Sequence, residues 1–429
     1  MRPTGRALVL VALLGVAALV WPDPQAWVMP TALLLGTYAF DGLWARQAGG
    51  LQVRRTVAPN LSVNRDAPVR INLCNTGIRS VQVSVTDELP DHCRSDDLPR
   101  TVRLRPQDEA EVRYNMVPMR RGDAAFGSVV CLVRSPLGLW QVRRRFAAQD
   151  TVKVYPDFAA IAGYLELLSD QQTVRLGIRK SQRRGEGLEF HQLREYRDGD
   201  TLRQVDWKAT ARRGALISRE YQEERDQRVL FLIDSGRRMR TRDGSLSHFD
   251  HALNGMLLLA YIALRQGDSV GLKLFGAERK WVPPLRGVAS LNVLLNEAYD
   301  LHSGPQSADY ITAAEEVMTR QRKRSLVVLM TNLREEDADL IPALGLLAKR
   351  HVVVLANLRE RVLDETLRHR PGGFRDALRL AASHDYLTER KHYQSQCLPL
   401  AHAVIDCTPQ ELPVKVVNAY WQVKRSGRL

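Results

Sequence analysis

Between Gly187 and Arg212 the chain reads GLEFHQLREYRDGDTLRQVDWKATAR, a segment dense in groups able to do chemistry. Carboxylates at Glu189, Glu195, Asp198, Asp200 and Asp206 fall within it. Acids paired at such spacings could serve acid–base catalysis or hold two metal ions in a nuclease-like site. Arg194, Arg197, Arg203 and Arg212 alternate with them. A guanidinium fork matches a carboxylate bidentately, so the alternation points to a salt-bridge network, covered by Tyr196 and Trp207, that fixes geometry. Gly199 and Asp200 supply a turn. The segment feeds VLFLID, Val229 to Asp234, an apolar strand that ends in a carboxylate.

Elsewhere the chemistry is thin. His248 and His251 share a helix face with no third zinc ligand, and Ser247 reads as the cap of that helix. Gly185 and Gly187 form a lone Gly-x-Gly without a preceding strand, and neither a Walker A sequence nor Gly-x-Ser-x-Gly occurs. Cys74, Cys93, Cys131, Cys397 and Cys407 are widely spaced with no CxxC, which argues against a disulfide framework or a zinc ribbon. The net charge of +14 is spread along the chain, sharpest at Arg175 to Arg184, without aromatics interleaved. Neither nucleic acid nor a small-molecule substrate is the expected partner.

The elements that position these groups follow from hydropathy. A chain of 429 residues, 45% hydrophobic and 26% charged, has room for two or three domains. Ala7–Trp21 and Trp27–Trp44 are apolar apart from Asp41. No A-x-A site follows the first and the second begins at once, so they read as a two-helix transmembrane hairpin and not a cleaved signal peptide. Trp21, Trp27 and Trp44 suit interfacial belts in contact with lipid. Arg2 and Arg6 before the pair, and Arg46, Arg54 and Arg55 after it, place both termini in the cytoplasm.

From Leu51 to about Asp150, short alternating runs closed by turn residues imply an all-β sandwich, with Gly122 and Gly138 at turns. From Val229, apolar strands alternate with helices, which implies an α/β fold with a doubly wound, mostly parallel sheet buried on both faces. Trp281–Pro284 reads as a short antiparallel edge. The expected organisation is 1–46 hairpin, 51–150 sandwich, 151–228 linker and polar segment, and 229–429 α/β domain.

On Glu189, Phe190, Arg194, Glu195, Tyr196, Gly199, Asp200, Arg203, Asp206, Trp207, Lys208, Ala211 and Arg212, the chain resembles an uncharacterised family of bacterial membrane proteins. Gly267–Gly276, Val327–Leu333 and Arg120–Trp140 extend the match. That family carries a von Willebrand factor A-like domain at its C-terminus and usually accompanies MoxR-type AAA+ ATPases. The resemblance implies a von Willebrand A-like sheet, the bacterial inner membrane, and a MoxR-type AAA+ ATPase as partner.

Von Willebrand A domains that bind metal place Asp-x-Ser-x-Ser after the first strand, completed by a threonine and a second aspartate as oxygen ligands to a hard cation. Here the run is Asp234, Ser235, Gly236, Arg237, Arg238, with Ser307 and Asn332 in the later positions. The site is therefore degenerate, with no metal or cofactor expected, and Asp234 should pair with an arginine or cap a helix. The implied function is a non-enzymatic, membrane-anchored adaptor or scaffold that docks the ATPase in complex assembly or cell-envelope maintenance. Glu189, Phe190, Arg194, Tyr196, Gly199, Asp200, Arg203, Asp206, Trp207 and Arg212 form its docking face. The alternatives are a metal-dependent adhesion-type receptor, and a hydrolase or nuclease using the segment's carboxylates.

Overall fold

The computed structural model describes residues 1–21, 24–46, 50–157, 189–197, 202, 205–222, 227–334 and 337–427. The chain divides after Tyr155 into two compact units.

The first unit opens with helices Gly5–Val20 and Pro24–Arg46 and continues as β structure. The expected transmembrane hairpin is overturned. Among the described residues, no helix is long and apolar enough to cross a membrane. Gly5–Val20 has 16 residues, about 24 Å of helix against a hydrocarbon core of about 30 Å. Pro24–Arg46 has 23 residues, but Gln25, Pro30, Thr31, Thr37 and Asp41 dilute its apolar run. The two-span inner-membrane placement, the lipid contact and the cytoplasmic assignment of both termini fall with it.

Asp41 shows what the second helix does instead. Its carboxylate is buried within the unit and accepts from Ser135 Oγ at 2.6 Å, Leu137 N at 3.0 Å and Leu139 N at 3.1 Å. Trp140 Nε1 donates to Tyr38 O at 2.9 Å, and Thr4 Oγ1 donates to Gly138 O at 2.6 Å. Backbone donors that would otherwise be stranded in a β-turn are met by a helix carboxylate.

The β region forms three sheets where a two-sheet sandwich was expected. Ala67–Asn75 alternates buried and exposed residues along its length, the pattern of a strand with one face on a core. It pairs with Leu51–Thr56 and Asp108–Pro118 in a four-stranded sheet. Val81–Asp87 and Val129–Arg134 are central to a five-stranded sheet. The third sheet is mixed: Thr151–Tyr155 runs parallel to Asn60–Ser62 and antiparallel to Gly122–Ala125. Residues 151–155, assigned to a linker by sequence, are thus a strand of this unit. Alternation reveals a strand but not its partner, and the parallel pairing joins segments far apart in sequence.

The second unit is built on a mixed six-stranded sheet. Its order is Lys280–Arg286, Ser269–Phe275, Arg228–Asp234, Leu326–Thr331, Val352–Leu358, Ala403–Cys407. The first of these is an antiparallel edge and the other five run parallel. Successive side chains of one strand point to opposite faces. Val229, Phe231 and Ile233 accordingly join helices His248–Arg265, Ser290–Ala298 and Leu412–Ser426 in one core. Leu230 and Leu232 join Tyr310–Arg320, Leu340–Ala348 and the end of Phe374–Cys397 in another. Ser247 caps the long helix in a reciprocal capping box with Asp250.

Asp41→Ala leaves the donors at Ser135, Leu137 and Leu139 unmet, and should cost about 3 kcal/mol of stability by urea unfolding. A loss below about 0.5 kcal/mol, the level of a neutral surface change, would mean that the helix is not anchored through this carboxylate.

Candidate functional site

Among the five parallel strands the spatial order, numbered along the chain, is 2-1-3-4-5. Sheets of this order bind ligands beyond the carboxyl ends of strands 1 and 3, where the connections diverge to opposite faces. Those two strands end in Asp234 and Thr331. Here the two residues bond to each other: Thr331 Oγ1 donates to Asp234 Oδ2 at 2.9 Å. Because that hydrogen is committed, the 2.8 Å contact between Tyr310 OH and Thr331 Oγ1 has the tyrosine as donor. Asp234 Oδ1 accepts from Gly236 N at 2.6 Å. A Tyr310–Thr331–Asp234 relay lies at this end of the sheet, with all three side chains buried.

Burial pushes the Asp234 carboxyl up to about 6, against the opposing pull of its bonds from Gly236 and Thr331. Arg238 forms an ion pair with Asp337. Tyr393 OH closes the same corner by donating to the Asp337 carbonyl. Gly236 is held to a glycine by close packing, since a Cβ there would meet Gln306 O at 2.8 Å and Ala308 N at 3.1 Å. The loop carrying Ser307 therefore lies against Gly236.

Asn332, the remaining expected position, belongs to a second network along the ends of strands 3, 4 and 5. Its Nδ2 reaches Glu360 Oε1 at 3.0 Å and His248 Nδ1 at 3.3 Å. An amide nitrogen only donates, so His248 accepts at Nδ1 and carries its proton on Nε2, 3.2 Å from Asp243 Oδ2. Burial keeps this imidazole below its ordinary range, hence neutral. Arg390, from helix Phe374–Cys397, reaches into the network with 3% exposure. It donates to Leu333 O at 2.7 Å, Leu358 O at 2.6 Å, Asn332 Oδ1 at 3.3 Å and Asp406 Oδ1 at 3.0 Å. Arg359 holds the other oxygen of Asp406 at 2.7 Å.

Sequence reasoning missed Arg390, Glu360 and Asp406. A signal existed: Leu387, Arg390, Tyr393 and Cys397 form the buried stripe of an otherwise polar helix, and an arginine on such a stripe must have partners.

The polar segment contributes to a separate two-stranded sheet of the second unit. Glu189–Glu195 pairs antiparallel with Ile217–Gln222 and places Glu189 and Phe190 opposite Gln222 and Tyr221. Helix Trp207–Arg213 lies between them in sequence. Asp206 caps it, with Oδ1 accepting from Lys208 N and Ala209 N at 3.0 Å, while Oδ2 takes Arg219 Nε at 2.9 Å. The Ala209 bond and then Arg219 hold this carboxyl below its usual range. The acid–arginine network expected from the segment is therefore, at Asp206, a helix cap plus Arg219, which lies outside the segment. Trp207 does not cover it, being 64% exposed. Arg194 Nη1 donates to Glu195 O at 3.0 Å, Tyr196 N to Leu216 O at 2.9 Å, and Arg212 is exposed. Asp198, Gly199, Asp200, Arg203 and the basic run 175–184 lie outside the described residues. Among the described residues, no group of three or more His, Cys, Asp or Glu is placed to hold a metal ion.

These features define a mixed α/β protein whose first and third parallel strands end in a buried, internally bonded relay. Residues 192–368 match the family described as "Protein of unknown function DUF58". It is similar to "Uncharacterized protein YeaD" of Bacillus subtilis (strain 168), 24% identical over 254 residues, 59% of this chain and 60% of that protein. The chain thus spans about 60% of the length of this curated relative. Among solved structures, the CARDB domain of PF1109 from Pyrococcus furiosus, in complex with di-metal ions, aligns with 25% of this chain and 90% of its own. The TM-score is 0.18 at 19% identity. Proximal thread matrix protein 1 from the mussel byssus aligns with 46% and 47% at TM-score 0.30 and 12% identity. Neither likeness bears on fold or function.

Asp234 titrates near 6 when folded and near 3.8 otherwise. The folded state therefore binds more protons between those values, and this group's contribution to stability declines as pH rises through them. Keeping it ionised costs about 3 kcal/mol at neutral pH. The stability of Asp234→Asn minus that of the wild type should rise by about 3 kcal/mol from pH 4 to pH 6 and be level above pH 7 in denaturant titrations. A margin independent of pH would refute the assignment. Arg390→Lys should lose about 3 kcal/mol or more, because an ammonium cannot span acceptors on three strand ends; full stability of that variant would remove Arg390 from the centre of the network.

Proposed function

We propose that this chain is a non-enzymatic docking protein and that the segment around Trp207 is the face another protein grips. The observation that carries the reading is Trp207 itself. An indole 64% exposed stands at the first turn of a helix that Asp206 caps and Arg219 braces. Leu202, 74% exposed, lies one turn before it, where its carbonyl accepts from Val205 N. Large apolar groups held in water on a fixed element are what protein partners bury, and tryptophan is enriched among residues that dominate binding energy. The partner we assign is a MoxR-type AAA+ ATPase, which the sequence resemblance implies, with complex assembly or envelope maintenance as the setting.

Two features support a non-enzymatic role. The switch-point crevice, where a doubly wound sheet does its chemistry, holds an internal Tyr310–Thr331–Asp234 relay. Asp206, a carboxylate that a nuclease reading would use, is occupied as a cap and an arginine partner.

The test is affinity capture of an AAA+ ATPase by the tagged full chain from bacterial extract. Wild type should retain the ATPase, and Trp207→Ala should weaken retention about tenfold or more with no change in unfolding temperature. Equal retention by both would sink the docking face, and substrate turnover by the purified chain would sink the non-enzymatic reading.

A further inference from the structure

We propose that a cavity in the first unit is a binding site for a phosphorylated ligand carrying at least two negative charges. The cavity encloses about 440 Å³ and is lined by Arg6, Arg79, Arg103 and Arg134, with Trp44 and Gln82 among its other walls. Its lining contains no aspartate or glutamate. That volume lies within the range of about 300–1,000 Å³ usual for small-molecule sites.

What marks this cavity is convergence: four arginines line one space whose walls carry no acid, whereas other arginines of the unit meet carboxylates. Arg55 pairs with Asp87, Arg113 with Glu111 and Arg145 with Glu88. Arg6, Arg79, Arg103 and Arg134 have no carboxylate partner among the described residues. Guanidinium groups gathered around one space without a counter-charge repel one another, and an anion entering that space relieves the repulsion.

Two of the four are already positioned. The Arg79 guanidinium lies 3.8 Å from the centroid of the Trp44 ring, a stacking contact that holds its plane. Arg134 Nη1 donates to Gln82 Oε1 at 3.4 Å. Side chains ordered beforehand lose less freedom on binding. Planar forks on several sides suit a tetrahedral, multiply charged phosphoryl group better than a single flat carboxylate. A free phosphorylated metabolite and a phosphate-bearing lipid headgroup share this chemistry.

Calorimetry on the full chain with pyrophosphate, and flotation with phosphatidylcholine vesicles containing phosphatidic acid, separate the two sources. At least one probe should bind, more weakly as salt rises. The same binding should fall about tenfold or more in Arg6→Gln/Arg103→Gln and hold in Arg143→Gln, an exposed arginine outside the cavity. Pyrophosphate binding assigns the site to a soluble ligand, and vesicle binding without it assigns a headgroup; either supports the site. Should the double variant unfold, Arg103→Gln alone reads the same effect. Binding of neither probe, or an equal loss in Arg143→Gln, overturns the proposal.

Discussion

The second unit depends on one buried guanidinium. Arg390 leaves helix Phe374–Cys397 and donates to a carbonyl just past strand 3 and to the last carbonyl of strand 4, while its remaining bonds run to Asn332 and to Asp406 on strand 5. Parallel strands end with carbonyls that no neighbouring strand satisfies, and leaving them buried and unmet costs about 1–3 kcal/mol each. A cation with five fixed donors meets several of them from one point. Its own desolvation is offset by Asp406, which Arg359 in turn holds in place. Remove the guanidinium and both the strand ends and a carboxylate lose their partner together.

This arrangement explains the orientation of Asn332. Just past the end of strand 3, the amide offers an oxygen to Arg390 and hydrogens to Glu360 and His248. A carboxylate there would have no hydrogen for Glu360 and would bring two acids together beside a neutral imidazole. The asparagine thus answers to the network around strands 3 to 5, and Asp234 is left to bond with Thr331. The two networks touch at consecutive residues, Thr331 and Asn332, whose side chains serve one each.

How much of this was legible beforehand depends on the range of the interaction. The apolar runs at Val229–Asp234 and Val327–Leu333 read directly as buried strands, because a strand covered on both faces has no polar alternation. Asp234 was conspicuous as the carboxylate closing such a run. The partners were not legible: Tyr310 and Thr331 lie far from Asp234 in sequence, and Arg238 was free to choose between Asp234 and Asp337 until the fold placed it. The N-terminal reading failed for a related reason. Apolar length was weighed above the single charge in the second segment, yet Asp41 is the residue that ties that helix to Ser135, Leu137 and Leu139. In the polar segment, alternation of acids and arginines suggested mutual pairing. Asp206 instead spends one oxygen on backbone donors three residues away or nearer, since helix ends carry donors that need an acceptor wherever the charges fall.

Gly236 shows why the crevice cannot be converted to a metal site by adding one serine ligand. Serine at 236 would place its Cβ 2.8 Å from Gln306 O, closer than real Cβ atoms approach. The obstruction is backbone, pinned by the bond from Arg237 N to Gln306 O at 2.8 Å, so it does not swing aside like the tip of a flexible side chain. Room for the hydroxyl would require the 306–308 loop to withdraw, and that loop leads directly into Asp309, which caps the helix carrying Tyr310. Tyr310 is the outer donor of the relay to Asp234. A change made to admit a cation would therefore disturb the groups that now satisfy the carboxylate meant to bind it.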